Sequence, residues 1–327
     1  MNIFSRKQSE KSHQTIFTAD IHGVIPQYKK LLAYAKKIKA DQIILGGDIT
    51  PKTARGLDLI VSQRDFLIQD LSRMFSNLKN DLPNTGIYVL FGNDDAKANH
   101  DLFVADEIEP YTAIHGKRLP IADGLEIVGY SYVPMSPWGL KDWDKFDYGK
   151  VVDISDQRLI EMNLERMDYG IRTSGFESKD VSKGEKEKFK LIRVGKQDLL
   201  HKGSISFDLQ SPIYLQNPEK TIFVAHAPPY GHLDVARTSN GGGLFAKPIK
   251  DRLIHAGSVA MLEYIEKTQP FLTLHGHIHS TVKRTGEYKT NIGNTISMTA
   301  GNSPRTNNLA ILVFDLYNPQ EAQRIIL

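Results

Sequence analysis

Short apolar runs that stop abruptly at a polar residue recur along this chain. "TIFTAD" stops at Asp20, "QIILGGD" at Asp48, "GIYVLFGN" at Asn93, "TIFVAH" at His226 and "FLTLHGH" at His277. Runs of this length, rich in Ile, Val, Phe and Thr, predict strands. Between them the apolar spacing turns helical. Pro26 opens a segment with Leu31, Leu32, Ala35 and Ile38 on one face, and Ile60, Leu67, Leu71, Phe75 and Leu78 predict a long helix from about Leu57 to Leu78. A further helix is predicted over roughly Ser258 to Lys267, a strand or hairpin at "LEIVGYSYV" and a late strand at "LAILVFDL". Strands alternating with helices predict an α/β fold of βα units, and no internal repeat is visible.

The pattern breaks once. From Trp138 to about Pro218 the chain is charged with both signs and includes "SGFESKDVSKGEKEKFK", which predicts a solvated loop or lid. Strand patterning resumes afterwards, so residues 14–327 are expected to form one domain with an insertion at about 138–218. Length alone, 327 residues, would suggest about two domains.

The polar stops carry the chemistry. Gly, Asn and Asp are ordinary turn residues, and "GNDD" alone reads as a turn. Five strands ending in metal-binding residue types are another matter, because in sheets with helical crossovers ligands collect outside the carboxyl ends of the strands. Asp20 and His22 lie two residues apart and reach past one strand end. "GHIH" sets His277 and His279 on the same side of an extended segment, and two glycines before Asp48 remove bulk where backbone and ion approach closely. The chain has no cysteine, so a metal here is held by nitrogen and oxygen, a mixture suiting Mn, Fe or Zn better than Mg or Ca. Two divalent ions about 3.5–4 Å apart grip the attacking and leaving oxygens of a phosphoryl centre.

"DIH" at 20–22, "GGD" at 46–48, "GND" at 92–94, "HAPP" at 226–229 and "GHIH" at 276–279 resemble the five ordered motifs of the calcineurin-like metallophosphoesterases, with "HAPPYG" and "GHIH" pointing to the Icc-related prokaryotic phosphoesterases. The resemblance implies a four-layer αββα sandwich of two mixed β-sheets flanked by helices, with a dinuclear centre at the strand ends. It implies that Asp20, His22 and His279 hold one ion, that Asp48 bridges, and that Asn93, His226 and His277 hold the other, with Mn favoured. A metal-bridging hydroxide would then attack phosphorus in line, in a phosphomonoester or phosphodiester, with Asn93 and His226 also at the phosphate and Asp94 and Asp95 at the catalytic position.

One residue departs from the pattern. Many members carry a histidine where Asp94 stands, contacting the phosphate and protonating the leaving group. An aspartate with an ordinary pKa of about 3.9 is an anion at neutral pH and cannot donate a proton. Asp95, which usually orients that histidine, is left without its partner. The departure motivates a rival expectation, a weak or inactive scaffold of the same fold that binds a partner protein. The full ligand set argues against it.

The remaining residues of interest have bland readings beside sharp ones. His13, His100 and His201 are expected at the surface, and His275 in the core or behind the ligands. His115, His232 and His255 are loop or cap residues, one of which could replace the missing acid. Lys52, Arg55 and Arg305 are solvated charges or phosphate-steering groups. Trp138 and Trp143 either stack on a base or, more commonly for such residues, anchor the insertion to the core. "NGGG" at 240–243 is a flexible loop. A net charge of +3, with 40% hydrophobic and 24% charged residues, fits a soluble globular chain and gives no broad surface for nucleic acid. Neither a leader-like apolar segment nor a run of about 18 apolar residues is present, so a cytoplasmic address and no membrane are expected. The expected partner is a small phosphoester, with oligomeric state left open.

Overall fold

The computed structural model describes residues 12–52, 54–100, 102, 110–148, 171–180, 189–237 and 253–327. The glycine stretch 241–243 and residues 149–170 and 181–188 of the expected insertion lie outside these.

Two six-stranded sheets organise the chain. The first runs, edge to edge, Asn318–Ile326, Ala310–Asp315, Gln14–Thr18, Gln42–Gly46, Gly86–Leu90 and Thr112–Ala113. Its last four strands are parallel, and Gln14–Thr18 pairs antiparallel with Ala310–Asp315. The second runs Lys289–Ile292, Thr295–Thr299, Leu272–His275, Thr221–Ala225, Leu125–Tyr130 and Arg118–Ala122, its middle four strands parallel and its two edges antiparallel. Both sheets are therefore mixed.

The period-two alternation of a strand divides each apolar run between two cores. Ile16, Ile43 and Leu45 pack outward against Tyr28, Leu31, Leu67, Leu71 and Phe75 of the flanking helices. Phe17, Ile44 and Leu90 turn inward and meet Ile127, Ile222, Val224, Leu272 and Leu274 of the second sheet. On the far face of that sheet, Val128, Phe223 and Ala225 pack on Met261, Tyr264 and Ile265 of the helix Val259–Thr268. These contacts make four layers, helix, sheet, sheet, helix, as expected. Among the described residues no helix is long and apolar enough to cross a membrane.

Two expectations need refinement. The long helix is Leu57–Asp65, a π-helical stretch Phe66–Leu71 and Ser72–Asp81 in succession. Ile60, Leu67, Leu71, Phe75 and Leu78 are all buried, as the spacing predicted. The start of the charged segment is not solvated: Lys141, Asp142 and Asp144 are at most 1% exposed. They are buried because they are paired. Lys141 Nζ lies 2.5 Å from Asp144 Oδ2 and donates to Ser136 O at 2.7 Å, while Asp142 accepts from the backbone N–H groups of Lys97 and Ser178. Further along, Gly175–Asp180 and Phe189–Val194 pair as a two-stranded sheet.

Candidate metal centre

The five polar strand ends converge. Ligand atoms of Asp20, His22, Asp48 and His279 all lie within 4.8 Å of one another. His22 Nε2 is 3.3 Å from His279 Nε2 and 3.6 Å from Asp48 Oδ2, and His279 Nε2 is 3.4 Å from Asp20 Oδ1. On the other side of Asp48, His226 Nε2 is 3.5 Å from Asp48 Oδ2 and 3.3 Å from Asn93 Oδ1, and His277 Nδ1 meets Asn93 Oδ1 at 2.7 Å. All seven residues expected from the resemblance are thus brought together, and Asp48 lies between the two groups.

Backbone geometry explains why these residue types stand here. Asp20, His22, Asp48 and His277 have φ of 57°, 48°, 51° and 67°. Asp, Asn and His tolerate this left-handed region better than most residues, yet each such site costs on the order of 1–3 kcal/mol. Surrounding hydrogen bonds hold it: Asp20 N–H donates to Gly47 O at 2.9 Å, His22 N–H to Asp48 O at 2.8 Å and His277 N–H to Asp20 Oδ1 at 2.9 Å. Gly47 and Gly92 are required by space, since a Cβ on either would collide with the ring of His226.

The donor set fits a divalent cation. Two buried carboxylates and several imidazole nitrogens face a common point. His226 Nδ1 donates to Gly46 O at 2.8 Å, which turns Nε2 toward Asp48, where a bound cation would take the place of the Nε2 proton. Burial opposes ionisation of Asp48, but His226 and His22 outweigh it and hold the carboxyl well below the usual carboxylate range. Burial likewise disfavours charge on His226, yet Asp48 lifts it to about 9. Burial takes His22 down to about 4 and His277, beside His226, to about 3, so both are neutral imidazoles as a metal requires.

Asp94 has an unforeseen companion. Its Oδ2 lies 2.7 Å from Lys52 Nζ and 3.6 Å from His22 Nδ1, and its backbone N–H donates to Asp48 Oδ1 at 2.7 Å. Burial and the Asp48 charge raise the Asp94 carboxyl to about 6, against the pull of Lys52. Lys52 is therefore an exposed cation that is paired beside the ligand cluster. Asp95 points elsewhere. It accepts from the N–H groups of Ile49 (3.1 Å), Thr50 (2.8 Å) and Gly92 (2.8 Å) and from the Thr50 hydroxyl, clipping the loop after Asp48 to the loop of Asn93. Burial and Asp48 push its carboxyl up to about 7 while the Gly92 and Thr50 donors pull it down.

Other candidates fall outside the cluster. His275 is fully buried, with Nδ1 at Ala225 O and Ala227 O and Nε2 at Thr273 Oγ1, a structural role as expected. His100 is not a surface residue. It is half-buried, its ring against Phe91 and Trp143. His115 packs on both His100 and Trp143, and His255 Nδ1 pairs with Asp234 Oδ1 at 2.7 Å. Trp143 is fully buried and its Nε1–H donates to Asp95 O at 2.8 Å, the anchoring role. A cavity of about 590 Å³ lies on that side, lined by His115, Tyr130, Tyr132, Lys145, Asp208 and Tyr214 among others, and it contains none of the ligands.

Two supporting residues escaped the sequence reading. Gln63 donates to Pro51 O and Asp94 O and accepts from Ala96 N–H; Asn302 donates to Ala19 O and Asp20 O and accepts from Ala310 N–H. The signal for Gln63 was available: an amide three residues after Ile60 and four before Leu67, on the apolar face of its helix.

Residues 13–281 match the family model described as calcineurin-like phosphoesterase. No curated protein matches the chain. One crystal structure covers 97% of this chain and 98% of its own at 14% identity and a TM-score of 0.51. A Thermus thermophilus protein, TT1561, aligns over 96% and 98% at 14% identity and a TM-score of 0.49, and a dimetal phosphatase from Danio rerio over 93% of each chain at 13% and 0.41. At such identities the likeness is one of fold. The sequence match over most of the chain goes further: this chain belongs to the calcineurin-like phosphoesterase family, hydrolases that act on phosphoric esters.

Proposed function

We propose that the protein hydrolyses a small phosphomonoester or phosphodiester by in-line attack of water, at a dinuclear centre in which Asp48 is shared. Asp20, His22 and His279 would complete one ion's shell, and Asn93, His226 and His277 the other's. The observation that carries this reading is the convergence of Asp20, His22, Asp48 and His279 within 4.8 Å, from three strand ends. When bound, divalent ions supply an acidified water and neutralise phosphoryl oxygens.

The chain's own residues do the rest. Lys52 stands beside Asp94, where many relatives carry a histidine. Burial disfavours its charge, but the neighbouring Asp94 carboxylate raises its pKa above the ordinary lysine value. Lys52 accordingly keeps its proton and acts as a fixed positive charge facing phosphoryl and leaving-group oxygens, with Asp94 holding it there. Asp95 is a positioning residue for the loops of Asp48 and Asn93. A site with a cation but no proton donor at that place favours leaving groups that depart as anions, a phenolate or a phosphate, over simple alkoxides.

The purified protein, supplied with Mn²⁺ first among the candidate ions, is expected to turn over bis(p-nitrophenyl) phosphate or p-nitrophenyl phosphate. Asp48→Asn is expected to abolish this, and a mutant that kept wild-type turnover would remove the shared-ligand role. Asp94→His is expected to raise activity on alkyl phosphoesters more than on p-nitrophenyl esters.

A further inference from the structure

Of the two tryptophans, Trp143 is buried and Trp138 is 38% exposed. The Trp138 ring lies 5.7 Å from the ring of His277, at 79° to it. An aromatic ring is therefore partly exposed to solvent immediately beside a residue of the metal centre. Its backbone is not loose. Arg172 N–H donates to Ser136 O (3.1 Å), Phe176 N–H to Gly139 O (2.7 Å) and Lys141 N–H to Phe176 O (2.7 Å), so segment 136–141 is tied to segment 172–176 on both sides of Trp138. Beneath it, the buried Lys141 and Asp144 pair fixes the same loop.

A half-open indole on a tied backbone beside the ligand cluster suits a planar heteroaromatic group, to which it offers a π-face. Stacking on an aromatic side chain is also the commonest way a protein grips an unpaired base. We propose that Trp138 is a stacking plate for a nucleobase, and that the substrates of this centre are nucleoside phosphoesters whose base rests on Trp138 while phosphorus sits at the ligand cluster. The inference rests on the phosphoesterase reading and adds the substrate class to it.

Two esters with one leaving group separate the possibilities: thymidine 5′-(p-nitrophenyl phosphate) and methyl p-nitrophenyl phosphate. Trp138→Ala is expected to lower the preference for the thymidine ester, the ratio of the two kcat/KM values, by about 5- to 100-fold, mainly through KM. Trp138→Phe should restore most of that ratio, and metal content by elemental analysis should match wild type in both variants. Because Trp143 is buried, thymidine 5′-monophosphate should quench wild-type tryptophan fluorescence and ribose 5-phosphate should not. An unchanged ratio in Trp138→Ala, or an equal loss on both esters, overturns the plate. If wild type cleaves neither ester, the plate is judged by the quench, and equal quenching by the two phosphates overturns it; the phosphoesterase reading itself fails only if p-nitrophenyl phosphate is left intact as well.

Discussion

The interior holds two groups of histidines, and only one of them resembles a metal site. At the strand ends, His22, His226, His277 and His279 surround Asp20 and Asp48. Behind Trp143, His100 and His115 stand 5.9 Å apart among Phe91, Tyr130 and Tyr132, with Lys97 Nζ 5.0 Å from the Trp143 ring and Lys145 Nζ 4.1 Å from the Tyr132 ring. Burial makes imidazoles neutral in both places: His22 and His277 fall to about 4 and about 3, His100 and His115 to about 4 and about 3. What differs is the company. Carboxylates in the first group invite a cation, and ammonium groups in the second repel one. A histidine cluster becomes a cation site through its acids.

The comparison can be broken most severely by removing the acids. Asp20→Asn with Asp48→Asn should leave a set of neutral imidazoles like the second group. Elemental analysis should then show metal near zero, and turnover should fall well beyond the ~100-fold that loss of an outer supporting residue reaches. Retained metal would mean that imidazoles alone suffice. Next in size is Trp143→Ala, which empties the wall between the groups. A stability loss of about 3–5 kcal/mol in urea unfolding is expected, with metal stoichiometry preserved. Lost metal instead would make the second group part of the centre.

Lys52→Met tests the lysine paired with Asp94 at the edge of the first group. It should lower kcat on phosphoesters by about 10²–10³-fold, the scale for one electrostatic stabiliser of developing charge, without loss of metal. An unchanged kcat would leave Lys52 a surface charge with no part in turnover. The smallest effect concerns His115. Its folded pKa lies near 3, below the unfolded value of about 6.5, so the unfolded chain binds the proton first and stability falls as pH drops from about 6.5 toward 3. His115→Phe should lose less stability than wild type between pH 7 and pH 4.5 in urea unfolding; equal losses would show that burial of His115 is not what acid attacks.

Much of the centre was legible in the sequence because its residues are improbable where they stand. Asp, Asn and His at the ends of Ile- and Val-rich strands contradict burial, and five such contradictions in order point to one site. Asp94 was legible as an oddity but its partner was not, since Lys52 lies 42 residues away and nothing local announces the pair. The charged segment misled for the same reason. Lys141 and Asp144 look solvated until their ion pair is known, and His100 looks exposed until Trp143 closes over it. The strand runs were readable, but their order in the sheets was not, because no periodicity records that Gln14–Thr18 pairs with Ala310–Asp315.

That pairing has a consequence for the order in which the protein comes into being. His22 and His279 are 257 residues apart, and His13 bonds to Asp315 across 302. On a ribosome adding about 5–20 residues per second, the strand Gln14–Thr18 waits roughly 15–60 s for its antiparallel neighbour, exposing an unpaired edge throughout. The complete ligand set cannot exist before His279 has emerged. Full metal capture is therefore a late event in synthesis, and a chain released between residues 279 and 310 would carry every candidate ligand yet lack the strand that pairs with Gln14–Thr18.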